Sequence, residues 1–270
     1  MSYSVLMSVY INEKPEYLKM AIDSILNQTV KSDDFVIVID GPLNKGLERV
    51  IADVVVANPG LFNVFRLHEN KGLAKALNNG ILQCKNEIIV RMDSDDISDP
   101  SRVEKQLLAM KEKNADIVGS NIIEFEGDVS NTKKERCVPE TNEEIIAFAK
   151  KRSPFNHPSV MYKKSKVIDA GFYEDYRYFE DYNLWVTMLN MGFKAYNIQE
   201  NLVYMRAGEE LYKRRGGFRY VGHIFRFQKN MKRIGFIGFR EFISNLLVRG
   251  TVSLIPNKMR GLMYKKVLRS

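Results

Sequence analysis

Three carboxylates fall within four residues in Arg91-Met92-Asp93-Ser94-Asp95-Asp96, directly after the apolar run Ile88-Ile89-Val90. Carboxylates this close repel one another unless a cation or hydrogen-bond donors sit among them. Hard oxygen ligands in an open loop suit Mg²⁺ or Mn²⁺, ions that keep waters and take phosphate oxygens as further ligands. The same spacing also fits a solvated acidic turn leading into a helix at Asp99-Pro100. A second acidic pair, Glu180-Asp181, precedes Leu184, Trp185, Met188 and Leu189 at helical spacing and so stands at the start of a packed helix. A carboxylate on a rigid element can act as a positioned base. A helix start also favours acidic residues for electrostatic reasons alone.

Positioning these groups falls to an alternation of short apolar runs and helical patterns. Ser4–Val9, Phe35–Ile39, Phe62–Leu67, Glu87–Met92 and Asp116–Gly119 read as strands. Helices are predicted from Pro15, over Leu47–Ala57 and Leu73–Cys84, and from Asp99-Pro100 (N-cap and first residue) to Asn114. Such alternation predicts an α/β fold with a mostly parallel, Rossmann-like sheet and helices on both faces. Ligands of these sheets bind at the carboxyl ends of the strands. The residues leaving those ends are Tyr10 and Asn12, Asp40-Gly41, His68 to Gly72, and Asp93 to Asp96. Further on, Ile122–Phe125 and Glu135–Val138 read as strands, and Thr141 with Glu144 makes a capping box for a helix to Lys151. A helix over Glu180–Met191 and strands at Ala195–Ile198 and Leu202–Met205 follow.

Composition excludes whole classes. At 45% hydrophobic and 27% charged over 270 residues, the chain is neither collagenous, disordered nor a disulfide scaffold. Cys84 and Cys137 have no metal spacing, which suits a reducing cytoplasm. No signal peptide or transmembrane run is expected. The net charge of +8 is unevenly placed: residues 206–270 hold 16 Lys/Arg against 3 Asp/Glu, and the other 205 residues hold 25 against 30. A mildly acidic body with a strongly basic last quarter points to an anionic surface as partner. The expected division is a catalytic domain over 1–215 and a basic, helical appendage over 216–270.

The ordered set Met7-Ser8-Val9-Tyr10, Val38-Ile39-Asp40-Gly41, Asn70-Lys71-Gly72 with Asn78, Asp93-Ser94-Asp95-Asp96-Ile97 and Phe179-Glu180-Asp181 resembles the family 2 glycosyltransferases of the GT-A fold. Within them it is similar to bacterial enzymes that build capsule, exopolysaccharide and O-antigen, the amylovoran-type transferases among them. The resemblance covers residues 3 to 215. It implies a nucleotide-diphosphate sugar, a UDP-sugar, as donor, with Tyr10 near the base and Asp40 at the base edge. Family members often have Val-Asp-Asp-Gly-Ser where this chain has Ile39 and Pro42 around Asp40-Gly41, which leaves Asp40 alone. Many carry Arg before the Asn equivalent to Asn78; here that residue is Leu77, and Lys75 could supply the charge. The resemblance makes Asp95 a ligand of Mn²⁺ or Mg²⁺, Asp93 a contact to ribose or metal-bound water, and Asp181 the general base of an inverting displacement. It brings His157 of Asn156-His157-Pro158, and Glu180, near the acceptor or diphosphate. Arg206, Arg214 and Arg215 resemble a basic loop closing over the diphosphate, where guanidinium–phosphate pairing favours arginine.

The acceptor implied is a lipid-linked saccharide, which puts the enzyme in the cytoplasm, peripherally on the inner face of the cell membrane. Apolar residues at Phe239, Phe242, Ile243, Leu246 and Leu247, with the basic residues beyond Pro256, fit contact with an anionic leaflet. Packing of that apolar stripe on the body is the other reading. A sugar-nucleotide nucleotidyltransferase shares the sheet and the carboxylates, but expects a Gly-rich loop where Tyr10-Ile11-Asn12-Glu13-Lys14-Pro15 stands. Nucleic-acid binding, argued only from the basic tail, lacks a recognition motif and is not expected.

Overall fold

The computed structural model of the protein describes residues 1–207 and 216–255. Strands β1 (Tyr3–Val9) and β2 (Asp34–Asp40) are buried at almost every position. Side chains alternate along a strand, so an uninterrupted apolar run needs cover on both faces. Leu6, Val36 and Val38 accordingly join one apolar core, while Val5, Met7, Phe35 and Ile37 join another across the sheet. The first core is roofed by α3 (Leu73–Gln83), α5 (Asn142–Ala149), α6 (Lys164–Asp169) and α7 (Glu180–Asn190), the second by α1 (Pro15–Leu26), α2 (Lys45–Ala57) and α4 (Arg102–Glu112).

One half of the sheet is parallel, in the order β3 (Phe62–Leu67), β2, β1, β4 (Ile88–Asp93). Beyond β4 the pairing is mixed. Strand β8 (Met161–Lys163) runs antiparallel to β4 and to β6 (Ile117–Phe125), and β9 (Ala195–Arg206) runs parallel to β6. Strands β5 (Ile97–Ser98) and β7 (Thr132–Arg136) pair antiparallel with β9 and β6. The acidic loop leaves β4 at the seam between the two halves.

Three details differ from the sequence expectation. The two short strands expected around Ser120-Asn121 are one continuous β6. Both residues are buried but bonded: the Ser120 N–H donates to Ser159 Oγ at 3.1 Å, and Asn121 Oδ1 accepts from the Val138 N–H at 2.9 Å. Strand β9 likewise runs unbroken through Gln199 to Asn201, absorbing its polar stretch as register shifts against β6. Helix α4 begins at Arg102, with Ser101 in the N-cap position. Asp99 still brackets the turn before it, accepting from the Ser101 N–H and hydroxyl.

Two antiparallel helices close the described chain, α8 (Phe218–Arg233) and α9 (Phe239–Leu254). Tyr220, Ile224, Phe227 and Met231 of α8 enter the same core as α7, with Phe227 stacked on Phe179 at 4.9 Å. Asn230 donates to Asn183 of α7 at 2.8 Å. Arg214, Arg215 and the segment from Pro256 lie outside the described residues. Among the described residues no helix is long and apolar enough to cross a membrane.

Candidate active site

The acidic loop is built on a buried cation. Arg91 lies on β4, two residues before the strand end at Asp93, and is almost fully buried. Its guanidinium forks onto the Asp93 carboxylate, Nη1 to Oδ2 at 2.7 Å and Nη2 to Oδ1. Burial works against the Arg91 charge, but Asp93, Tyr173 and Asp96 together outweigh it and the group stays cationic. Beneath it, buried Arg102 donates to the Arg91 carbonyl at 2.8 Å and to Gln106 Oε1 at 3.0 Å. Burial, then the neighbouring Arg91, pushes Arg102 down to about 9.

Asp95 is half-buried, and burial, then Asp93 and Glu13, pushes it up to about 7. Asp96 is buried and driven well above the carboxylate range by burial and its two acidic neighbours, although it accepts from the Arg206 N–H at 2.7 Å. Ser94 donates to Glu13 Oε2 at 2.7 Å, tying the loop to the turn after β1. Arg206 was expected in a basic loop over the diphosphate. It instead ends β9, its guanidinium sandwiched over Tyr17 at 3.6 Å and Phe125 at 4.5 Å, with Nε donating to the Asp95 carbonyl at 3.1 Å. It braces the acidic loop from behind.

At the end of β2, Asp40 is buried and its two oxygens accept the Lys71 and Gly72 N–H groups at 2.7 and 3.0 Å. Those bonds shape the loop that ends at α3, and each oxygen keeps a second lone pair for a ligand. Gly41 follows with a φ of 86°, and a Cβ there would come within 2.7 Å of the Asn70 backbone nitrogen. Only glycine fits that approach. Tyr10 is exposed on the turn after β1, and Lys75 is exposed in the first turns of α3.

The second acidic pair opens α7 as expected. Burial, then Asp181 and Asp175, pushes Glu180 up to about 7. Behind this helix start lies Tyr173, whose phenol pairs with His157 Nε2 at 3.2 Å and whose backbone is clamped by Asn78 through two bonds of 2.9 Å. Burial raises the Tyr173 phenol, Arg91 opposes that shift, and both Asp181 and Asp93 add to it. His157 packs against Trp185, and burial with Arg91 nearby holds it neutral, well below its usual range. The His157 ring nitrogen is thus spent on Tyr173.

A sequence model described as "Glycosyl transferase family 2" matches residues 4–177. The chain belongs to that family. Across almost its whole length this glycosyltransferase is 39% identical to the UDP-Gal:alpha-D-GlcNAc-diphosphoundecaprenol beta-1,3-galactosyltransferase of Escherichia coli, covering 99% of this chain and 96% of that one. It is 36% identical to the amylovoran biosynthesis glycosyltransferase AmsE of Erwinia amylovora, covering 98% of each chain. Its fold is that of S. aureus TarS 1–349, solved in complex with UDP-GlcNAc, at a TM-score of 0.69 and 15% identity over 99% of this chain and 76% of that one. It also matches a mannosyltransferase from Pyrobaculum calidifontis solved with GDP-Man and Mn²⁺, at a TM-score of 0.65 and 14% identity over 96% of this chain and 71% of that one.

Among the described residues, no group of three or more His, Cys, Asp or Glu side chains is arranged to hold a metal ion. The residues present nonetheless fit one. Asp95 offers hard anionic oxygen, crowded by Asp93 and Glu13, which is charge that a cation relieves. Mg²⁺ and Mn²⁺ accept one or two carboxylates and complete their shell with water and phosphate oxygens.

Sequence reasoning gave no role to Arg91, Glu13 or Tyr173. Arg91 carried a readable signal, since a charge inside a strand buried on both faces demands a partner. Glu13 and Tyr173 carried none, because their partners lie 81 and 95 residues away in sequence.

Proposed function

We propose that this family 2 enzyme transfers a sugar from a UDP-sugar to a lipid-linked saccharide in surface polysaccharide biosynthesis, with inversion at the anomeric carbon. The observation carrying this reading is the acidic loop at the end of β4, where buried Arg91 grips the Asp93 carboxylate with Asp95 beside it, while Asp181 stands in the first turn of α7. The similarity to the E. coli galactosyltransferase supports a diphospholipid acceptor. In this reading Tyr10 and Asp40 receive the nucleoside, with Lys75 supplying positive charge nearby. Asp93, held by Arg91, meets the ribose. Arg214 and Arg215 meet the donor diphosphate, and Arg206 acts on it through the loop it braces. Asp95, with Asp93 beside it, would hold Mn²⁺ or Mg²⁺, a Lewis acid that stabilises charge on the departing diphosphate. Asp181 takes the proton of the acceptor hydroxyl as it attacks. Glu180, pushed up to about 7 by burial, carries less charge than an ordinary carboxylate beside that base and stands near the acceptor or diphosphate. His157 orients Tyr173 through Nε2 and stands near the acceptor or diphosphate.

The catalytic unit spans residues 1–215, and the helices after it bring the enzyme to the cytoplasmic face of an anionic membrane, where the acceptor is presented. Support comes from the exposed Phe239, Ile243 and Leu247 on α9 and Phe218 and Phe225 on α8. A panel of UDP-galactose, UDP-glucose, UDP-N-acetylglucosamine and dTDP-rhamnose, with a GlcNAc-diphosphate-alkyl acceptor, tests the reading by nucleotide release. One UDP-sugar should stand out, EDTA should abolish release, and NMR of the product should show an inverted anomeric centre. Retention, or full turnover in EDTA, rejects the mechanism.

A further inference from the structure

Helix α8 carries Arg219, His223 and Arg226 at i, i+4 and i+7, so the three share one helix face. Against that face lies the loop leading into α7. The Arg226 guanidinium sits over the Tyr176 ring at 5.1 Å, and that of Arg177 over Tyr178 at 5.5 Å. Tyr178 meets His223 edge-on at 5.5 Å and Tyr220 at 5.3 Å. Tyr178 holds a φ of 73°, a left-handed conformation that costs a non-glycine residue about 1–2 kcal/mol. Its ring contacts to α8 and to Arg177 oppose that cost.

The cluster is cationic and its guanidiniums form no ion pair: among the described residues, none of Arg177, Arg219 or Arg226 has a carboxylate within ion-pair distance, and all three are exposed. Burial and these same three guanidiniums hold His223 below its usual range, with Asp175 the one acid acting against them. Guanidiniums laid on aromatic faces keep their in-plane N–H edges free, the geometry that pairs bidentately with phosphate oxygens. The loop bearing Arg177 runs straight into Glu180-Asp181, so the cluster adjoins the carboxylate that would deprotonate the acceptor. In a saccharide-diphospholipid the diphosphate lies one sugar ring from the hydroxyls of its first sugar.

We infer that Arg177, Arg219, His223 and Arg226 form a binding site for the diphosphate of the acceptor lipid, separate from the donor diphosphate at Asp95. The inference rests on the acceptor reading above.

Calorimetry with a GlcNAc-diphosphate bearing a short alkyl chain reads the site without turnover. The double variant Arg177→Gln, Arg226→Gln alters only exposed groups; loss of their ring contacts should lower Tm by no more than a few degrees, and its UDP affinity should match wild type. Its Kd for the diphosphate compound should rise about tenfold or more, while weak binding of the phosphate-free alkyl glycoside stays as it was. An unchanged Kd, or equal loss for both compounds, overturns the site. Loss of binding to phosphatidylglycerol vesicles with an unchanged Kd for the diphosphate compound would assign the cluster to lipid headgroups and likewise overturn it. Binding as expected without sugar transfer would reject the proposed reaction and leave this site standing.

Discussion

Asp95 and Asp181 are both acidic, and their surroundings give them separable tasks. Asp95 stands in a loop whose own charges repel, so Asp95→Asn should abolish most nucleotide release and metal-stimulated UDP binding while leaving the metal-free Tm equal to wild type or slightly higher. A large fall in Tm would instead make Asp95 a structural residue. Asp181 opens a rigid helix, so Asp181→Asn should lower kcat by about 10²–10⁴-fold, the usual worth of general base assistance. UDP-sugar affinity, measured by calorimetry, should stay unchanged, because the base acts on the other substrate. Glu180 predicts a pH dependence. Its folded-state pKa of about 7 lies above the ordinary 4.5, so the folded protein binds more protons than the unfolded chain between those values. Stability from this group therefore falls as pH rises through that window and stays low above it. Glu180→Gln keeps a neutral side chain throughout, so its Tm advantage over wild type should grow from pH 4.5 to 7 and then level off. A constant gap would deny the shift. At this scale the sequence made the acidic residues legible because their types and spacing declare them. It hid Arg91–Asp93 and His157–Tyr173 as pairs, since pairing depends on how strands and loops meet.

Elements were legible where one physical signal dominated. The apolar run of β1, the β-branched run of β2, the Asn58-Pro59-Gly60 stop after α2 and the Thr141–Glu144 capping box all stand in the structure. The reading failed where polar residues inside β6 and β9 looked like breaks, because bonded polar groups can be buried without ending a strand. The antiparallel insertion of β8 between β4 and β6 was equally hidden, since Met161–Lys163 is too short to carry a pattern. Packing between elements is close at Gly80 of α3, where a Cβ would come within 2.3 Å of Leu6 and 2.7 Å of Val38. Two effects compete in Gly80→Ala. Helix propensity favours alanine by about 1 kcal/mol, and overpacking a buried interface costs about 1–3 kcal/mol. Contact this short on two strands lets the second win, so Tm should fall by several degrees. A rise in Tm would show that α3 can lift from the sheet at little cost. The same helix bears Asn78, the clamp on Tyr173, so the variant should also lower kcat.

At the scale of the whole molecule, charge and apolar surface are sorted together. The exposed charges of α8 and α9 are Arg219, Arg226, Lys229, Lys232, Arg233 and Arg240, all cationic, and the one acid, Glu241, is half-buried beside Lys150 at 3.6 Å. Among them Phe218, Phe239 and Leu247 are 84%, 63% and 64% exposed, although Phe242 and Phe227 of the same helices are buried in the core. The apolar stripe is therefore divided: Phe242 packs on the body, as one sequence reading expects, while Phe239 and Leu247 face outward. An outward face that is apolar and cationic, without exposed acid, fits the interface of an anionic leaflet, where each basic residue near the surface contributes about 1 kcal/mol. Phe239→Ser with Leu247→Ser removes apolar area that the fold leaves in solvent, so Tm and UDP affinity should hardly move. Co-sedimentation with phosphatidylglycerol vesicles should drop several-fold, and added salt should weaken wild-type binding further by screening its basic residues. Transfer to a long-chain acceptor in vesicles should fall in step, while transfer to a short-chain acceptor in solution should not. Equal vesicle binding by variant and wild type would remove this face from the membrane. A wild-type dimer that the double variant splits into monomers would give the face to a second copy of the chain.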